Sequence, residues 1–301
     1  MPFRVTDTTL NARLAAQIAT AKQLAATAQE QLSSGKRINR PSDDPTGAEV
    51  VLRLRTSQAA VDQFRRNAGT AKDALLVADG TLDTYQQALD RARTLLAQGA
   101  SDSTSAAGKQ TIAAEIDGLR QHMLTLANSR QNDIYVFGGT RQNAPPFSSA
   151  GVPAATPASA QLVQIDPDGT PITVGVTADT IFSDATGSVF DALTAAATAL
   201  RGTGNPSADQ TTVLAQIDRL TTFTDLAGVA RTTVGTSLTR VDATNQRLDQ
   251  SYLSLEDAAQ SRESADFAAA AIKLNESNQA LEAIIQSGAQ IGRRSLIDFL
   301  S

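Results

Sequence analysis

From Leu54 onward one stripe of positions recurs at alternating steps of three and four: Leu54, Ser57, Val61, Phe64, Ala68, Ala71, Leu75, Ala78, Leu82, Tyr85, Leu89, Ala92 and Leu96. All but Ser57 are apolar, so the spacing keeps a single apolar seam on one helix face through six heptads, the repeat that packs helices side by side. At about 1.5 Å per residue such a helix is roughly 60 Å long, more than a compact domain of this size usually spans. The seam predicts a stop at Gly99, where a polar stretch of Ser, Asp and Thr begins.

A second seam of the same alternation runs through Val234, Leu238, Val241, Asn245, Leu248, Tyr252, Leu255 and Ala259, and a shorter one through Ile112, Ile116, Leu119, Met123 and Leu126. Asn245 inside a seam costs stability but can fix register and partner number. These three helices are the expected core of a bundle. The ends carry weaker seams: Leu10, Leu14, Ile18, Ala21, Ala25, Ala28 and Leu32 near the start, and Phe267, Ala271, Leu274, Asn278, Leu281 and Ile285 near the finish. Alanine buries far less apolar surface than leucine, and isolated helices of this kind are marginal in water. Both ends are therefore expected to be partly disordered in the monomer and to fold together on assembly.

Between residues 135 and 188 the pattern changes. Gln161–Ile165 and Ile172–Val176 alternate with the period of strands around a turn at Asp166-Pro167-Asp168-Gly169, which predicts a small β-rich insertion. Helix resumes near Val189, breaks at Gly202–Pro206 and restarts at Ser207, a candidate N-cap. One helix from there to about residue 261 is expected, although Gly228 and Gly235 weaken it. The fold class expected is mainly α: an elongated antiparallel bundle or coiled coil made by the N- and C-terminal segments, with the small β-rich insertion. The expected division is 1–45 plus 262–301, 46–134 plus 189–261, and 135–188.

Composition adjusts this picture in one direction. The 301 residues hold 4% aromatics, no tryptophan and two methionines, which suits long helices with narrow seams better than a thick globular centre. A net charge of −5 argues against nucleic acid, which calls for a basic face. No polybasic run and no 18-residue apolar run exist, so neither a membrane surface nor a bilayer is an expected partner. Met1–Asp7 lacks the apolar stretch of a cleavable secretory signal. Absence of cysteine removes disulfides, thiolate metal sites and cysteine nucleophiles.

No catalytic constellation emerges. His122 is the single histidine, and a zinc or acid–base site needs several convergent groups. Gly35-Lys36 lacks the Ser/Thr and the first Gly of a phosphate loop, and Gly202-Thr203-Gly204 follows no strand. Asp43-Asp44 and Asp166/Asp168 lack the twelve-residue calcium loop with its closing Glu and are expected to be turn residues. No catalytic residue, cofactor or metal is expected, and the chain is expected not to be an enzyme.

The segment Ser33–Pro45 is more informative. Gly35 can end a helix, Pro41 and Pro45 forbid its continuation, and Ser42 or Asp43 can cap the next. Leu32–Gly47, LSSGKRINRPSDDPTG, resembles the signature of the flagellin superfamily. Several further stretches resemble its hook–filament junction branch, the hook-associated protein 3 family, more than flagellin itself. They are Arg4-Val5-Thr6, Asn39-Arg40-Pro41-Ser42-Asp43-Asp44-Pro45, Ile134–Thr140 with Pro145-Pro146-Phe147, and Ser295–Leu300. Pro2-Phe3 ahead of Arg4 departs from that pattern. The resemblance covers residues 1 to about 147 and about 190 to 301; the middle carries no family signature.

The resemblance implies a structural subunit of the bacterial flagellum between the hook, through hook-associated protein 1, and the flagellin filament. It implies export without a cleavable signal through the flagellar type III route, and an export chaperone at the C-terminal helix, residues 262–301. Terminal helices would form an inner coil, with Leu10, Leu14, Ile18, Leu24, Leu274, Leu281, Ile284 and Ile285 as its interface and Leu296 and Phe299 beside them. Gly35, Asn39, Arg40, Pro41, Asp43, Asp44 and Pro45 form the joint between that coil and the bundle, and identical subunits would contact head to tail. A flagellin and a secreted coiled-coil adhesin are the alternatives. Leu89–Gln98 also resembles faintly the flagellin helix read by host receptors, although a solvated charged face explains its arginines equally well.

Overall fold

The structure is a computed structural model that describes residues 3–300 apart from Pro157 and Asp168; side chains of residues 3–8, 10 and 290–300 lie outside that description. Seven helices account for most of the described residues: α1 (Phe3–Ser34), α2 (Pro45–Gly99), α3 (Ala106–Ala127), α4 (Ala178–Phe182), α5 (Val189–Arg201), α6 (Pro206–Glu263) and α7 (Phe267–Leu300). Strands are slight: β1 (Arg130–Gln131) with β2 (Ile134–Tyr135), β3 (Gln161–Val163) with β4 (Ile172–Val174), and β5 (Ser183–Asp184) with β6 (Gly187–Ser188), each an antiparallel pair. The fold is mainly α, as the seams predict.

Two compact units emerge, Met1–Val61 with Ser251–Ser301, and Asp62–Gln250. In the second, the predicted α2 seam is buried without interruption from Ala68 to Leu96, apart from packing neighbours added at Ala88 and Leu95. Ile112, Ile116 and Met123 of α3, Phe190, Leu193 and Leu200 of α5, and Leu220, Phe223, Val234 and Val241 of α6 complete the same core. A fully buried Leu, Ile or Phe contributes roughly 1.5–3 kcal/mol by leaving water, so this continuous seam is the main stabilising feature of the unit. Gly228 and Gly235 do not break α6. Arg231 of α6 bridges Asp79 and Asp83 of α2 at 3.2 and 2.8 Å, and together they hold its own charge firmly in place.

The insertion contributes to this core. Ile165, Ile172, Val174, Ile181 and Phe182 are buried in it, and Phe182 lies 4.4 Å from the Tyr85 ring and stacks on Phe190 at 6.2 Å. The β3–β4 hairpin pairs Gln161 with Val174 and Val163 with Ile172, the predicted strands with the predicted turn region between them; Asp168 of that turn lies outside the described residues. Asp166 is ion-paired with Arg247 of α6. The Phe137-Gly138-Gly139 turn explains its own composition: Phe137 is fully buried, Gly139 has φ +54°, and a Cβ on Gly138 would sit 2.8 Å from the Arg141 carbonyl oxygen.

Two helix starts differ from expectation. Asp44, not Ser42 or Asp43, caps α2 by accepting the Gly47 N–H at 2.8 Å. Asn205, not Ser207, stands before α6, its side chain accepting from Ala208 N–H at 3.3 Å. Both corrections have one cause. Proline fits the first helical position because it has no N–H to leave unpaired, so Pro45 and Pro206 each fix the cap at the residue just before them. Ser188 behaves as a full capping box with Asp191, which is why helix resumes at Val189.

Candidate functional site

Helix α1 ends where its chemistry dictates. Gly35 takes φ +69° and donates its N–H to the Gln31 carbonyl at 3.0 Å, a left-handed C-terminal turn that costs a residue with a Cβ about 1–2 kcal/mol. The following loop is knitted by Asp43, whose Oδ2 accepts the Asn39 and Arg40 N–H groups at 3.0 and 2.8 Å. The Asp44 carboxylate takes Arg37 as well, at 3.1 Å. The Gly47 N–H and then Arg37 hold the Asp44 carboxyl below the ordinary carboxylate range.

This loop is clamped to the turn between α6 and α7. Arg37 N–H donates to the Glu263 carbonyl at 2.7 Å, and Ala265 N–H to the Gly35 carbonyl at 2.9 Å, flanking a Lys36–Ser264 bridge. The Glu263 side chain, 13% exposed, meets Lys36 Nζ at 2.5 Å with one oxygen and Arg55 of α2 at 2.9 Å with the other. Burial works to raise the Glu263 pKa, but the hydrogen bonds and charges of Lys36 and Arg55 outweigh it and leave it lowered. One carboxylate thus ties together the end of α1, the start of α2 and the end of α6. Sequence reasoning found the loop but missed Glu263, Lys36 and Arg55. Glu263 stands 227 residues from Lys36, and no local signal connects them.

Beyond the joint, α1 and α7 pack against each other. They run antiparallel: a Cβ on Gly35 would lie 3.5 Å from Phe267, while one on Gly288 would lie 2.7 Å from Leu14. The buried positions are small, namely Ala21 and Ala28 on α1 and Ala270 and Ser277 on α7. Leu14, Ile18, Leu274, Leu281 and Ile284 are half-buried along the same seam, whereas Leu24 and Ile285 are 41% and 52% exposed. Leu10, Leu296 and Phe299 lie outside the described side chains.

The observed α7 seam is Ala270, Leu274, Ser277, Leu281, Ile284 and Gly288; it shares Leu274 and Leu281 with the expected seam, takes the residue before the expected Ala271, Asn278 and Ile285, and leaves Phe267 out. Choosing bulky residues misled the expectation, because close helix approach needs small ones at the centre of the contact. At 100° per residue, Phe267 and Ile285 lie about 60° round the helix from Ala270 and Gly288. Phe267 is 57% exposed, so α7 carries an apolar stripe wider than α1 covers.

Elsewhere the candidate chemistry dissolves. His122 is exposed on α3. Asp209 accepts Thr203 N–H and Oγ1–H at 2.9 and 2.6 Å as a turn residue. Among the described residues no three His, Cys, Asp or Glu side chains gather as a metal cluster, and no helix is long and apolar enough to cross a membrane.

The family model described as the bacterial flagellin N-terminal helical region matches residues 7–142. Flagellar hook-associated protein 3 of Escherichia coli is 29% identical over 158 residues, 52% of this chain and 50% of that protein. A flagellin of Listeria innocua is 33% identical over 39% of this chain and 41% of its own length. The chain therefore spans half or less of the length of these curated relatives. In fold it is similar to Xanthomonas campestris FlgL, with a TM-score of 0.63 at 18% identity over 68% of this chain and 99% of that one. Residues 7–142 are thus similar to the bacterial flagellin N-terminal helical region, the sequence is similar to flagellar hook-associated protein 3, and the fold is similar to that of Xanthomonas campestris FlgL.

Proposed function

We propose that this protein is a structural, non-enzymatic subunit of the bacterial flagellum that joins the hook, through hook-associated protein 1, to the flagellin filament. The observation that carries this reading is the apolar stripe of the α1–α7 pair. Phe267 and Ile285 remain more than half exposed beside a seam already closed by Ala21, Ala28, Ala270 and Ser277. A stripe too wide for one partner helix leaves room for a helix of a second copy.

Repeated head to tail, that contact winds into a helical layer rather than a closed pair. In this account 1–45 with 262–301 is the assembly domain, 46–134 with 189–261 the helical bundle and 135–188 the insertion. Leu10, Leu14, Ile18, Leu24, Leu274, Leu281, Ile284, Ile285, Leu296 and Phe299 are the proposed interface of the inner coil, and Gly35–Pro45 is the proposed joint that follows α1. Partial folding of the ends before assembly keeps monomers from polymerising early. It also suits export without a cleavable signal, with a chaperone holding residues 262–301.

Leu281→Asp tests the reading. The variant should fail to be incorporated into flagella seen by electron microscopy while keeping the cooperative melt of residues 50–260; normal incorporation would count heavily against it. The nearest second reading is a filament flagellin, favoured by the similarity to the Listeria flagellin. Unaided growth into long filaments would establish it. A secreted adhesin, with the insertion as its binding module, would bind nothing flagellar.

A further inference from the structure

Between α2 and the hairpins β1–β2 and β3–β4, within the second compact unit, lies an open cleft of about 480 Å³. That volume is within the range of small-ligand sites. Its apolar wall is aliphatic, made by Val136, Val163, Val174 and Val176. Its polar wall is mostly amide, Asn67, Gln131, Asn132, Gln142 and Gln161, joined by Thr70 and one carboxylate, Asp73.

Most of these groups hold hydrogen-bonding capacity in reserve. Gln142 Nε2 donates to Gln161 Oε1 at 2.5 Å. That leaves Gln142 Oε1 and Gln161 Nε2 without a partner among the described residues, on two side chains that fix each other's orientation. One offers an acceptor and the other a donor. The Tyr135 ring forms part of the lining, and Arg130 lies over it, 5.0 Å from its centroid. The cleft contains no lysine or arginine among its lining residues, so it offers nothing to neutralise a phosphate or carboxylate ligand.

We propose that this cleft binds a neutral, polyhydroxylated ligand, a one- or two-residue sugar unit. A sugar presents adjacent hydroxyls that each donate and accept, which is the demand the Gln142–Gln161 pair meets. A carboxylate such as Asp73 accepts from further hydroxyls, and the C–H faces of the ring suit an aliphatic wall with an aromatic edge. An anionic ligand would face Asp73 unpaired, and an apolar one would leave four amides dry and unsatisfied.

The test uses the 301-residue chain, with the glutamine side-chain amides followed by ¹⁵N NMR during titration with N-acetylglucosamine, methyl β-galactoside, methyl α-mannoside and maltose. The cleft predicts that at least one probe shifts the Gln131, Gln142 and Gln161 side-chain signals saturably, with a Kd of about 1 mM. Gln142→Ala should weaken that binding about tenfold or more, the loss expected when a hydrogen-bonding partner is removed from a bound polar ligand. Unchanged thermal unfolding of that variant would show that the loss is local. No saturable shift with any probe at about ten times that concentration overturns the proposal. So does binding that Gln142→Ala leaves intact.

Discussion

Glu263 concentrates the argument at the scale of single residues. Its lowered pKa means that the folded joint favours the carboxylate more than the unfolded chain does. That contribution is complete above its ordinary value of 4.5 and is lost as pH falls through the lowered folded value. Asp44, also lowered from its ordinary 3.8, adds to the same acid sensitivity. Glu263→Gln should lower amide protection at Arg37 and Ala265, and should flatten the dependence of that protection on pH below 4.5; hydrogen exchange across pH 3–7 measures both. Gly35→Ala should cost about 1–2 kcal/mol through its positive φ, and Gly35→Asn less, since Asn tolerates that region better. Tyr85 differs in kind. It is fully buried, its hydroxyl has no partner among the described residues, and burial pushes its ionisation well up. Tyr85→Phe should therefore be neutral or stabilising by up to about 1 kcal/mol in urea unfolding.

Elements were legible in the sequence to the degree that their side chains were large. The α2 and α6 seams carry Leu, Val, Phe and Tyr at a constant repeat; burial follows the α2 seam position by position from Ala68 to Leu96, while in α6 Val234, Val241, Leu248 and Ala259 are buried and the positions between them only half-buried. The α7 seam was misplaced by one residue because Phe267-Ala268-Ala269-Ala270-Ala271 offers two adjacent starts for the same repeat, and bulk favoured the wrong one. The helix starts at Pro45 and Pro206 were missed by one or two residues because the proline's effect on the preceding cap was not given its full weight. Close approach of α1 and α7 makes Gly288 a sensitive position, since a Cβ there would lie 2.7 Å from a terminal methyl of Leu14, which must then shift. Gly288→Leu should separate the two helices and cost about 1–3 kcal/mol by overpacking. Leu14→Ala combined with it should restore part of that loss, a coupling that a double-mutant cycle in thermal unfolding would read.

For the whole molecule, the mainly α fold and the loop at residues 33–45 follow from pattern alone. The clamp at Glu263 does not, because it is made by charges brought together over more than two hundred residues of chain. Function is legible in the sequence chiefly through the loop at residues 33–45. The features that bear on it are the apolar stripe of the α1–α7 pair and the clamp of the 35–45 loop on Glu263. Electron microscopy of the purified protein, alone and with isolated hooks, hook-associated protein 1 and flagellin, tests the central claim most directly. The account predicts a short layer on hook ends that forms only after hook-associated protein 1 and then permits flagellin to polymerise. Long filaments formed by the protein alone, or no binding to any flagellar component, would contradict it.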